Sequence, residues 1–159
     1  MYHSFVRRRL RRGFEQDLSQ GNYPALVART AAGVVHTFPG RGALAGTRTS
    51  RKELEAWFAR LFRLFPVLRF EVDDIAVTGG PRRTIVTVCW RDWGEAADGE
   101  AYENTGCEVF EIRWGRAVWI RQYLDTKVIH DSLERMAAAG IAEAGAPPLI
   151  GVAGGEMRN

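Results

Sequence analysis

AYENTGCEVFEIRWGRAVWIRQYLD, residues 101–125, is two runs rich in aromatic and β-branched residues on either side of Trp114-Gly115. A two-residue break between such runs predicts a β-hairpin, with strands over 101–113 and 116–125. Opposed residues of an antiparallel pair share a face. Pairing Arg113 with Arg116 therefore sets Phe110 against Trp119, Glu108 against Arg121, Gly106 against Tyr123 and Asn104 against Asp125. One face then carries Tyr102, Asn104, Gly106, Glu108, Phe110, Trp119, Arg121, Tyr123 and Asp125. The other carries Cys107, Val109, Val118, Ile120, Gln122 and Leu124. Four large aromatics beside carboxylates and an amide suit a pocket lining better than a solvent-facing surface.

Working outward, strands are expected over 68–78 and 83–93, joined by a Gly-Gly-Pro turn, and a short strand over 32–38 ending at Phe38-Pro39-Gly40. Residues 41–49 read as a loop. Helices precede, interrupt and follow the strands. Val6, Leu10, Phe14 and Leu18 recur every fourth residue over 4–19, and a short helix follows at 23–27. Ser50 and Glu53 form a capping box for a helix carrying Leu54, Trp57, Phe58, Leu61, Phe62 and Phe65. A last helix spans 126–139. The predicted fold is α+β: a cone-shaped, curved antiparallel sheet with three N-terminal and central helices packed on its concave face. Residues 1–143 make one domain, and 144–159, rich in Gly, Pro and Ala, a flexible tail.

The chain of 159 residues is 46% hydrophobic and 26% charged, which suits a globular core. It has no apolar run long enough for a membrane span, and its start lacks the apolar core of a signal peptide, so a cytoplasmic protein is expected. The net charge of +3 comes from five arginines between Arg7 and Arg12; without them the balance is negative. They read as a solvated helix face, remote from the pocket, without a base-reading motif, so no nucleic-acid partner is expected. Cys89 and Cys107 read as buried free thiols. His3, His36 and His130 are scattered, so no metal site is expected, and no glycine pattern cradles a phosphate.

Asp125 is the leading candidate for acid/base chemistry, because a carboxylate held among aromatics has its pKa raised by desolvation. Its alternative reading is the cap of the following helix in Asp-Thr-Lys. Glu108 and Arg121 read as a cross-strand ion pair. Asp92 shares a face with Val86, Val88 and Trp90; if Asp92 lies opposite Tyr102, Trp90 falls opposite Asn104 and joins the lining. His36 is either a structural histidine or a group pointing into the cone mouth.

Phe38-Pro39-Gly40, Leu44-Ala45-Gly46-Thr47-Arg48, the helix Glu53 to Phe65, Tyr102-Glu103-Asn104-Thr105-Gly106, Arg113-Trp114-Gly115-Arg116 and Tyr123-Leu124-Asp125-Thr126 together resemble the nuclear transport factor 2-like superfamily. The resemblance is to its SnoaL-like polyketide cyclase and ketosteroid isomerase-like branch, over about residues 5 to 140. It implies a helix-covered cone, often a homodimer through the outer sheet face, and catalysis without metal or organic cofactor. An aspartate ending the last strand is the acid/base of the cyclases, and Asp125 matches that position. The limonene epoxide hydrolase branch uses an Asp-Arg-Asp set; Asp92 and Asp125 match its aspartates, but Trp90 stands where the arginine belongs. The isomerases' first-helix tyrosine has no counterpart beyond Tyr2.

The resulting expectation is a cofactor-free cyclase or isomerase of a small apolar carbonyl compound. Asp125 takes the α-proton while Tyr123, Tyr102 or Asn104 donates to the enolate oxygen. Trp57, Trp90 and Trp119 hold a flat substrate, with Arg121 and His36 completing the binding set. The rival expectations are a non-catalytic ligand-binding or dimerisation module, and an epoxide hydrolase.

Overall fold

The computed structural model describes residues 1–151. Helix α1 (Tyr2–Arg12) runs on through a π-helical stretch, Gly13–Asp17, and a 3-10 turn, Leu18–Gln20, that Gly21 ends in the left-handed region at φ 71°. A short α2 (Tyr23–Val27) follows, with proline in its first turn where no N–H is needed. Strands β1 (Thr30–Phe38) and β2 (Gly46–Arg48) precede α3 (Arg51–Leu64). Then come β3 (Val67–Gly80), β4 (Arg83–Glu95), β5 (Ala101–Arg113), β6 (Arg116–Leu124) and α4 (Thr126–Ala138).

Helix α3 starts where expected: the Ser50 hydroxyl accepts from the Glu53 N–H at 3.2 Å. The return arm of the capping box differs, because the Glu53 carboxylate accepts from the Thr49 N–H at 2.7 Å. Leu54, Trp57 and Leu64 then fall on the buried stripe.

The six strands lie in the order β2-β1-β6-β5-β4-β3. The fold is α+β with a curved, unclosed sheet covered by helices. It departs from the expectation in being mixed: β1 runs parallel to β6, and part of the anticipated 41–49 loop is β2, antiparallel to β1. Starting β1 beside the last strand rather than the first fixes this order and brings His36 next to Ile120.

The decisive correction concerns β6. Arg113 pairs with Arg116 and Ile112 with Ala117, as the two-residue turn demands, but Glu111 then pairs with Trp119. Val118 is an extra residue, a β-bulge, and beyond it every side chain of β6 changes face. Ile120, Gln122 and Leu124 point inward; Trp119, Arg121 and Tyr123 point outward. Glu108 therefore opposes Gln122, and the expected Glu108–Arg121 ion pair does not form.

The concave face can be written as rows across the strands. One row is Arg48, His36, Ile120, Phe110, Val86 and Val77. The next is Gly46, Phe38, Gln122, Glu108, Val88 and Ile75. Below it lie Leu124, Gly106, Trp90 and Val72, then Asn104, Asp92 and Phe70. Asp92 thus opposes Asn104 and Trp90 opposes Gly106, one step from the expected pairing but on the same face.

Cys89 and Cys107 are directly opposed on the other face, half-buried free thiols rather than buried ones. Part of the anticipated tail, within residues 144–151, is held against the fold. Glu143 pairs with Arg60 and Arg63, Arg60 donates to the Pro147 carbonyl at 2.8 Å, and the Gly151 N–H donates to Thr47 O at 2.8 Å. Residues 152–159 of that tail lie outside the described residues. No helix among the described residues is long and apolar enough to cross a membrane.

Candidate functional site

An apolar cavity of about 170 Å³ lies between α1, α2 and the sheet rows bearing Phe110 and Ile120. Tyr2, Phe5 and Arg9 from α1 line it, with Pro81 and Gly115 from the two hairpin turns. Its walls are Phe14, Phe58, Phe110 and aliphatic side chains, and its polar lining includes His36, Thr30 and Glu108. A second cavity of about 50 Å³ lies lower on the concave face, lined by Asp92, Tyr102, Gln122 and Trp90. Glu108, with Phe14, Leu18 and Phe58, borders both.

Glu108 is 6% exposed and faces no cation. Burial pushes its carboxyl up to about 8, partly opposed by the neighbouring Gln122 carboxamide. It is therefore mostly protonated at neutral pH, and its charge is available within reach of physiological conditions.

His36 is set by Arg48. The Arg48 Nε–H donates to His36 Nδ1 at 3.2 Å, while the same guanidinium donates to the carbonyls of Ala45 at 3.0 Å and Leu149 at 3.1 Å, and to Gly46 O. Burial, followed by the adjacent guanidinium charge, lowers the imidazole pKa to about 3, against a contact with the Gln122 carboxamide that favours the charged form. A neutral imidazole with an accepting Nδ1 carries its proton on Nε2. That Nε2 is buried and has no hydrogen-bond partner. Gln122, on the strand between His36 and Glu108, also leaves its Oε1 unpartnered. Burial drops Arg48 itself to about 10, so it remains a cation.

Asp92, 4% exposed, sits in the smaller cavity. Burial raises it to about 7 against the opposing hydrogen bond of the Tyr102 hydroxyl. Burial, then Asp92, pushes the Tyr102 phenol up in turn. Asp92 Oδ1 and Trp90 Nε1 are buried without partners. The Trp90 ring covers Gly106, where an added Cβ would come within 2.5 Å of it. Asp92 and Glu108 stand two rows apart on either side of that ring. At about 3.3 Å rise per residue, their Cα atoms are separated by roughly 13 Å along the strands, too far to act on one atom.

The structure thus brings together Asp92, Trp90, Tyr102 and Asn104 in one group, with His36 and Trp57 on the same concave face. Asn104 is spent on structure, donating to the Asp125 carbonyl at 3.1 Å. Trp57 is fully buried, its indole N–H donating to Leu44 O at 2.8 Å and its ring edge-on to His36 at 4.6 Å. Asp125 does not enter the pocket: it is exposed and caps α4, accepting from the Lys127 N–H at 2.9 Å. Tyr123, 48% exposed, and Arg121, stacked over its ring at 5.3 Å, lie on the outer face with Trp119. All four were placed inside on a register that the Val118 bulge breaks.

Sequence reasoning assigned Glu108 to the inner face and then spent it on Arg121. The alternation Val86, Val88, Trp90, Asp92 on β4 against Phe110 and Glu108 on β5 places Glu108 inside whatever β6 does. The Arg48 role carries no local sequence signal, since apart from His36 Nδ1 its acceptors are backbone carbonyls. The separation of the basic helix from the pocket also fails at one residue, Arg9, which lines the larger cavity. Among the described residues no group of three or more His, Cys, Asp or Glu converges as a metal site would require.

The SnoaL-like domain family matches residues 10–120. No curated protein matches the chain. Among solved structures, an NTF2-like protein of unknown function from Burkholderia pseudomallei is 20% identical, covering 77% of this chain and 88% of its own, with a TM-score of 0.63. PrhC from Penicillium brasilianum is 16% identical over 82% of this chain and 87% of its own, with a TM-score of 0.68. A putative polyketide cyclase from Xanthomonas campestris pv. campestris is 17% identical over 84% and 92%, at a TM-score of 0.51. At these identities the likeness is one of fold. With the family match spanning most of the helix-covered sheet, the chain belongs to the SnoaL-like family.

Proposed function

We propose that the protein is a cofactor-independent acid/base enzyme that enolises a small, apolar carbonyl compound in the larger cavity, as a step of cyclisation or isomerisation. The observation that carries this reading is the pair at the cavity's polar end: a buried carboxyl titrating near 8 and a neutral imidazole whose Nε2–H lies beside the Gln122 carboxamide without a well-formed hydrogen bond. An enolisation needs a base for the α-proton and a donor for the oxygen on which charge develops. Glu108, ionised, removes the proton; the C–H electron pair becomes the new C=C bond, and the carbonyl electrons move onto oxygen. His36 Nε2–H donates to that oxygen, and its tautomer is fixed beforehand by Arg48. Return of the proton from Glu108 to a different carbon completes an isomerisation, while attack of the enolate carbon on a second carbonyl closes a ring.

This assigns to Glu108 the part that the resemblance gives to Asp125, and to His36 the part given to the tyrosines. The cyclase-like neighbour supports the reaction class by its fold and nothing finer. The epoxide hydrolase alternative gains no support, because the Asp125 carboxylate is engaged by Lys127 away from Asp92.

The test is α-deuteration of 4-methylacetophenone in D₂O, followed by NMR. The wild type is expected to accelerate exchange with a rate that climbs through an apparent pKa near 8, the value for Glu108. Glu108→Gln is expected to abolish the acceleration and Asp125→Asn to leave it intact. Loss in Asp125→Asn with retention in Glu108→Gln would return the chemistry to the strand-end aspartate. Tight binding of the ketone with no exchange would establish a binding module instead.

A further inference from the structure

The five arginines of α1 point three ways. Arg7 Nε donates to Ile75 O at 3.1 Å and Arg11 to Val72 O at 2.8 Å, so this i,i+4 pair grips the edge strand β3. Arg8 and Arg12 are exposed. Arg9 lies on the stripe that faces the cavity, Tyr2, Phe5, Val6, Leu10 and Gly13, which is otherwise free of charge.

We propose that Arg9 is an anion-binding group at the mouth of the larger cavity, and that the substrate is a small aryl carboxylate. Its ring fills the cavity, its carboxylate meets the Arg9 guanidinium, and its reacting carbonyl lies at the Glu108 end. This identity of the substrate rests on the enolisation reading for its inner end only.

Three observations support the assignment. Arg9 has no hydrogen bond or ion pair among the described residues, whereas Arg29, the other cation of the lining, is held by Asp17 at 3.4 Å. Glu108 is the single acid among the lining residues, and it is protonated at neutral pH, so the cavity carries positive charge without a compensating anion. The size also fits: an apolar cavity of about 150 Å³ takes up benzene, and this one, about 170 Å³, suits one ring with a short substituent. A carboxylate at the exposed mouth keeps contact with water and escapes the desolvation cost it would meet among Phe14, Phe58 and Phe110. The guanidinium fork offers it paired N–H donors.

The test compares 3-(4-acetylphenyl)propanoate with its primary amide, by calorimetric titration and by α-deuteration of the acetyl group. At low salt and pH 7 the acid is expected to bind about tenfold more tightly than the amide, a difference of about 1.4 kcal/mol. The preference is expected to shrink as salt rises, because the contact is at the surface. Arg9→Gln should bring the two probes to within about twofold of each other, Arg9→Lys should keep most of the preference, and Arg9→Glu should reverse it. Equal affinity in the wild type, or a preference that survives Arg9→Gln, overturns the assignment. Glu108-dependent deuteration of the amide without acid preference defeats the Arg9 proposal and leaves the enolisation reading standing. An Arg9-dependent preference without deuteration of either probe does the reverse.

Discussion

His36 and Glu108 differ in how their states are set. The imidazole is fixed by a single directed bond from Arg48, because Nδ1 can accept only if Nε2 holds the proton. The carboxyl is governed by desolvation, which acts without direction and favours the neutral form. Their effects on folding therefore have opposite signs. Glu108 titrates near 4.5 when exposed and near 8 when folded. Its stabilising contribution is complete below pH 4.5 and is lost as the pH rises to about 8, where unfolding releases a proton. Asp92 behaves likewise between 3.8 and about 7. His36 is depressed from 6.5 to about 3, so its contribution is present above pH 6.5 and is lost on acidification. Glu108→Gln should thus gain stability relative to the wild type between pH 5 and pH 8, with a slope approaching ~1.4 kcal/mol per pH unit. Thermal melts of both proteins across that range check this, and parallel curves would refute it.

At the scale of the element, one inserted residue outweighs every residue-level inference about β6. Deleting Val118 removes the bulge but leaves Glu111 against Trp119 and Phe110 against Ile120, so Ile120, Gln122 and Leu124 keep pointing inward. The expected result is a protein that still unfolds cooperatively in circular dichroism; loss of cooperativity would show that the inward placement of Ile120 depends on the bulge itself. Gly106→Ala should destabilise, by about 1–3 kcal/mol, because its Cβ would meet the Trp90 ring at 2.5 Å and Tyr123 O at 2.9 Å; chemical denaturation measures it. These two cases show what the sequence could and could not reveal. The strands, the two-residue turn at Trp114-Gly115 and the Ser50 cap were legible, because each depends on local residue preferences. The inward alternation of β4 was legible too, and it carried Trp90 and Asp92 to the right face. The bulge was not, because Arg116-Ala-Val-Trp-Ile contains no glycine or proline to mark an extra residue. It is settled by packing: Ile120 rather than Trp119 fits between His36 and Phe110. Asp125 was misplaced for that reason and not through any misreading of its chemistry.

For the whole molecule, α1 both roofs the cavity and closes the sheet. β3 ends the strand order, so its outer carbonyls and N–H groups have no strand partner. Arg7 and Arg11 satisfy the carbonyls of Ile75 and Val72, and Glu15 accepts from the Val72 N–H at 3.1 Å. The double variant Arg7→Ala, Arg11→Ala should release this edge. Light scattering on warming is expected to show earlier aggregation than in Arg8→Ala, Arg12→Ala, which loses the same charge from the solvent side; identical onsets would refute the role. At the opposite edge, the guanidinium that orients His36 takes one of its acceptors, Leu149 O, from 101 residues further along the chain. Ribosomes add about 5–20 residues per second, so a nascent chain waits on the order of 5–20 s between making Arg48 and making the carbonyl that completes its shell. Through that interval His36 and the local acceptors Ala45 O and Gly46 O are already synthesised, and the guanidinium gains its last acceptor only when the chain around Leu149 has come home against β2.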